Sequence, residues 1–113
     1  MQKILLPAIG ILTVVLTCGC DNAKSSAAVA KDVAIAQQQA STEVTDAKKD
    51  AAKEGDSAKA SYEVAIAQAD GDHNVAIQKC SALNGMALKS CKDQADARYE
   101  SAKTHANVIR LNN

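Results

Sequence analysis

The chain has 113 residues, with 13 Lys plus Arg against 13 Asp plus Glu and a formal net charge of zero. Phe and Trp are absent, Tyr occurs twice, and 23 residues are Ala, so small side chains carry much of the 47% hydrophobic content. This excludes a large aromatic core and a second domain. It also gives no expectation of a nucleic-acid partner or of strong electrostatic attraction to an anionic membrane surface.

Met1-Gln2-Lys3 is a short positive start, and residues 4–17 are apolar apart from Thr13 and Thr17. That length suits the apolar core of a signal peptide and is short for a membrane-spanning helix. The run ends in Leu16-Thr17-Cys18-Gly19-Cys20, which resembles a bacterial lipobox. The resemblance implies cleavage before Cys20 and lipidation of its thiol and new amino group. Cys18 fits worse as the acceptor, because Thr17 would flank the cut. Residues 1–19 are therefore expected to be signal peptide and residues 20–26 a lipidated tether. Asp21, directly after the cysteine, resembles the signal that retains enteric lipoproteins in the inner membrane.

From residue 27 onward good helix formers dominate, the only proline being Pro7, and no stretch alternates with period two. Apolar residues recur every eleven positions: Val33 and Val44, then Val64-Ala65-Ile66 and Val75-Ala76-Ile77. That period keeps an apolar stripe on one face of a nearly straight helix. Its phase breaks near Gly55. Gly55-Asp56 and Gly71-Asp72 each place a helix terminator before a good N-cap residue. Since the Val-Ala-Ile phase survives Gly71, the helix is expected to continue there. The expectation is one long Ala-rich helix over residues 27–83, interruptible near Gly55, reaching about 80 Å if continuous.

Leu83-Asn84-Gly85-Met86 is the clearest turn, with Asn-Gly read as the cap ending that helix. Cys80 and Cys91 lie equally far from it, as do Leu83 and Leu88, and equidistant residues face one another in an antiparallel helix pair. Axes packed on Ala about 8 Å apart bring facing Cα atoms to about 3.5–5.5 Å, which a disulfide accepts. With Cys18 removed and Cys20 acylated, Cys80 and Cys91 are an even pair, which in an oxidising compartment predicts a disulfide. Zinc is the rival reading, but the spacing is poor and only His73 and His105 could assist. Tyr62, Ile66, Ala69, Ala76, Cys80 and Leu83 form a stripe before the turn; Leu88, Cys91, Ala95, Ala102, Ala106 and Ile109 form one after it. Tyr62-Glu63-x-Ala65-x-x-x-Ala69 recurs as Tyr99-Glu100-x-Ala102-x-x-x-Ala106, adding Ala65 and Tyr99 to the packing set. The fold expected is all-α: a long helix and an antiparallel return helix to about residue 110, stapled by Cys80–Cys91. Residues 27–55 would be a helical spacer and residues 56–113 the stapled hairpin.

Residues 72–106 are similar to a set of small exported proteobacterial proteins with an aromatic-x-Val-Ala-x-x-Lys-Cys stretch, then x-Ala-Leu-x-Gly, Cys and Ala-x-Ala-x-Tyr-x-x-Ala-Lys. Here these read His73-Asn74-Val75-Ala76-Ile77-Gln78-Lys79-Cys80, Ala82-Leu83-Asn84-Gly85, Cys91 and Ala95-Asp96-Ala97-Arg98-Tyr99-Glu100-Ser101-Ala102-Lys103, with His73 where the aromatic is usual. The resemblance implies an exported, helical, cysteine-paired protein and names no substrate. Asp46-Ala47-Lys48-Lys49-Asp50-Ala51-Ala52-Lys53-Glu54-Gly55 also looks like an eleven-residue unit of late-embryogenesis-abundant proteins, which implies helix formation on drying or at membranes.

No nucleophile stands in a catalytic frame, and no phosphate-binding glycine loop or His-Glu-x-x-His occurs. Asp70-Gly71-Asp72-His73 is the most site-like cluster; it lacks the spaced oxygen ligands of a calcium loop and reads as a polar interruption of a helix. The expectation is a non-enzymatic, cofactor-free lipoprotein facing the periplasm, held by its membrane anchor. Its small-residue stripes would associate with a second copy or another envelope protein. A conditionally ordered stress protein, or a small metal- or ligand-binding protein using His73, are the alternatives.

Overall fold

A computed structural model describes residues 23–112. The residues expected to form a signal peptide and lipobox, Cys20 among them, lie outside the described residues. The described residues form three α-helices and no strand: α1 (Ser26–Ala51), α2 (Ser57–Cys80) and α3 (Gly85–Asn112). None of them is long and apolar enough to cross a membrane.

The helix boundaries follow from local chemistry. Ser25 caps α1 by accepting the Ala28 N–H, satisfying one of the donors that a first turn leaves open. After Ala51 the chain turns through residues 52–56. Asp56, with extended backbone, then caps α2 by accepting the N–H groups of Ala58 and Lys59. The expected helix over 27–83 is thus two helices, with the break at Gly55-Asp56 where an interruption was allowed. The phase slip of the eleven-residue pattern at Gly55 is the sequence trace of that turn. Gly71 lies inside α2, in keeping with the preserved Val-Ala-Ile phase.

The second turn differs in detail from its expected form. α2 ends at Cys80, and Leu83 belongs to the connection rather than to the helix. Asn84 and Gly85 start α3 instead of capping α2: the Leu88 N–H donates to the Asn84 carbonyl, and Gly85 adopts φ +52, which glycine tolerates without strain.

α1 folds back along α2. The Lys24 N–H donates to the Ser81 carbonyl at 3.1 Å, so the start of α1 lies at the end of α2 and the two run antiparallel. α3 returns along the opposite side of α2, and α1 and α3 do not meet among the described residues. The residues read as a spacer therefore lie beside the hairpin. The 24 residues of α2 span about 36 Å, less than half of the rod expected from one long helix.

α2 is the shared element, with two stripes. One meets α3 and contains Tyr62, Ala69, His73 and Cys80. The other meets α1 around Gly71, where a Cβ would lie 2.5 Å from the Ala40 Cβ. The core consists of small side chains: Val29, Ala36, Ala60, Ala69, Gly71, Cys80, Ala95 and Ala106 are buried, and Cys80 is the largest that is almost fully enclosed. Val29 and Ala40, and likewise Ala60 and Gly71 or Ala95 and Ala106, stand eleven apart. The eleven-residue period therefore keeps each contact line on one face along the helix.

Candidate functional site

The polar chemistry of the molecule gathers at the α2–α3 seam. Cys80 and Cys91 form a disulfide with their Cα atoms 5.6 Å apart, at the upper end of the separation expected for Ala-spaced helices. Two mixed pairs follow in the same antiparallel register. The Tyr99 hydroxyl donates to Asp70 Oδ1, and His73 Nε2 lies 2.7 Å from Asp96 Oδ1, where an imidazole N–H donates to the carboxylate. The two rings stack on each other, with centroids 4.7 Å apart and planes 24° from parallel. The imidazole at 73 thus packs ring against ring, as an aromatic at that position would, while keeping a polar edge for Asp96.

Beside these pairs lies an open groove of about 310 Å³ whose lining includes Ala69, Asp72, His73, Arg98 and Tyr99. Lys103 Nζ sits 5.0 Å from the Tyr99 ring centroid, and Arg110 lies 5.0 Å from that of Tyr62. Both tyrosines of the repeated Tyr-Glu-x-Ala motif therefore carry a cation on their ring. The Tyr99 phenol ionises above the ordinary phenol range, chiefly because its proton is held by Asp70, then because desolvation and the Asp70 charge disfavour a phenolate.

Among the described residues no group of three or more His, Cys, Asp or Glu side chains is placed to hold a metal ion. Asp70 and His73, from the cluster that reads as most site-like, face α3 partners, whereas Asp72 is exposed on the groove rim. His105 is exposed on α3. Around the end of α1, Lys49–Asp46 and Lys53–Asp50 form exposed ion pairs at one-turn spacing.

The residues expected to pack are distributed as follows. Ala69 and Ala95 are buried; Tyr62, Ala65, Ile66, Ala76, Leu88, Tyr99, Ala102 and Ile109 are half-buried; Leu83 is 40% exposed in the turn. Asp96 was missing from the sequence reading. Its signal was available: Asp96 mirrors His73 across the turn, much as Cys91 mirrors Cys80. A further small-residue face of α2, at Gly71, meets Ala40 of α1 in the same chain.

Comparison with family models, with curated proteins and with solved structures returns no match.

Proposed function

We propose that this chain is a non-catalytic lipoprotein of the bacterial cell envelope, anchored through Cys20 and acting through helix-mediated association in the periplasm. The observation that carries the reading is the Leu16-Thr17-Cys18-Gly19-Cys20 frame after an apolar run, four residues ahead of the first residue that bonds into the helical layer. Several acyl chains at one cysteine make release from a bilayer negligible, whereas one chain binds only marginally. The Cys80–Cys91 pair suits an oxidising compartment. The seam groups support a structural role, because Asp70, His73, Asp96 and Tyr99 are engaged with one another rather than directed at a ligand. Asp21 favours retention in the inner membrane.

The test is metabolic labelling with a palmitate analogue, followed by density fractionation of the envelope. Wild type and Cys18→Ser should be labelled and sediment with inner membrane, and Cys20→Ser should be unlabelled. Label persisting in Cys20→Ser overturns the anchor, and labelled protein in the outer membrane overturns the role of Asp21. The association arm is read by sedimentation of the detergent-solubilised protein and by cross-linking in intact cells. A strict monomer that cross-links to nothing contradicts it.

A further inference from the structure

The neutral net charge conceals an uneven distribution. Residues 73–92 contain Lys79, Lys89 and Lys92 and no Asp or Glu. In the fold this stretch is the end of α2, the disulfide turn and the start of α3. Lys24 joins the same end through the bond of its backbone N–H to the Ser81 carbonyl. Lys24 and Lys89 are paired with Asp32 and Asp93, while no carboxylate of the described residues pairs with Lys79 or Lys92. The opposite end, residues 43–63 with the end of α3, whose Arg110 lies over Tyr62, is mixed and carries six acidic against five basic side chains. Because α1 and α3 run parallel, both of their N-termini also lie at the lysine end, where helix dipoles favour anions.

The turn between the cysteines is apolar and open. All of residues 82–87 are exposed, and only Asn84 among them has a polar side chain. Leu83 is 40% exposed and Met86 88% exposed, at a position where the disulfide and the bond from Lys24 hold the backbone. A rigid apolar tip with lysines around it has the pattern of a segment that enters the interface of an anionic bilayer. Tether length fixes which surface it meets. Cys20 is four residues from Lys24, and four residues fully extended reach at most about 14 Å. A lipid on Cys20 therefore cannot hold this end far from the headgroups.

We infer that residues 82–87, with Lys79 and Lys92 beside them, form a membrane-contact tip that seats on the leaflet holding the Cys20 lipid. The tip inserts Leu83 and Met86 at the headgroup boundary and stands α2 away from the surface. The inference rests on the anchor reading above. The lysines are contributed by separate elements, which is why no single helix face shows them.

The chain has no Trp, so one introduced residue is a clean reporter. Met86→Trp and, at the opposite end, Glu54→Trp are each expressed as full chains. They are extracted in mature form and reconstituted into phosphatidylethanolamine–phosphatidylglycerol vesicles with brominated acyl chains. Acylation is read by mass on the same preparations. The expected result is acylated protein in which Met86→Trp emission shifts to the blue and falls about twofold against non-brominated vesicles, while Glu54→Trp is unchanged. Lys79→Gln with Lys92→Gln should weaken that quenching, as should vesicles of phosphatidylcholine alone. Acylated protein with Met86→Trp unquenched, or with both reporters quenched alike, overturns the tip and leaves the anchor standing. Unacylated protein overturns the anchor reading and the tip together.

Discussion

At Gly71 two opposed effects have known sizes. Alanine is preferred to glycine inside a helix by about 1 kcal/mol. An added Cβ would meet the Ala40 Cβ at 2.5 Å and the Ala40 Cα at 3.1 Å, and backbone cannot swing aside. Overpacking of this kind costs about 1–3 kcal/mol, so Gly71→Ala should be net destabilising by up to about 2 kcal/mol in urea denaturation. Ala40→Gly added to it should recover part of the loss, and a Gly71→Ala protein more stable than wild type would contradict the close α1–α2 approach. Tyr99 gives a second test at this scale. In a Tyr62→Phe background its phenol should titrate above 10.0, and Asp70→Asn should lower the midpoint. The raised folded-state value means the native state holds the proton longer than the unfolded chain does. The stability linked to this bond is therefore complete below the ordinary phenol range and is lost as pH rises through the raised value. A midpoint at or below 10.0 would contradict the Tyr99–Asp70 bond.

At the scale of elements, α2 holds the other two helices. α1 packs on one of its sides and α3 on the other, each through small residues, so neither has a second support among the described residues. The disulfide closes a loop between residues eleven apart, which is worth about 3 kcal/mol. Domains of this size have total stabilities of about 5–15 kcal/mol, so the staple is a large share. Reduction should lower a single helical melting transition that includes α1, because α1 leans on a helix the staple supports. Retention of α1 helicity after α2 and α3 have melted, read by hydrogen exchange, would contradict this dependence. Asp56→Ala should cost about 1 kcal/mol through loss of the two N–H partners at the start of α2. The helices, the cysteine pairing and continuity through Gly71 were legible in the sequence, because composition, mirror spacing and preserved phase each report on local structure. The fold-back of α1 was only half legible. The phase slip at Gly55 marks the place, but the direction of the returning chain depends on the Gly71–Ala40 approach and on the Lys24–Ser81 bond. These are tertiary contacts between residues about thirty and more than fifty positions apart. The sequence clue to a central helix was present in α2, whose small residues occupy two stripes where a surface helix needs one. The His73–Asp96 pair stayed hidden because Asp96, exposed on α3 like Asp93 and Glu100, looks like ordinary surface.

At the scale of the whole molecule, the three helices form one layer with a chemically distinct end. That end gathers the disulfide, an apolar turn, the N-termini of α1 and α3, and the first described residues after the lipobox. The proposed anchor and the staple thus share one pole, and the mixed-charge turn at residues 52–56 marks the other. The central claim is that the mature chain begins at a lipidated Cys20 and carries Cys80–Cys91 closed. The most direct test is the intact mass of protein extracted from envelopes, taken with and without reduction before thiol alkylation. The expected mass is that of residues 20–113 bearing a diacylglyceryl group and an acyl chain, with no alkylation without reduction and two alkylations after it. A chain that retains residues 1–19, an unmodified Cys20, or alkylation of Cys80 and Cys91 without reduction would contradict it.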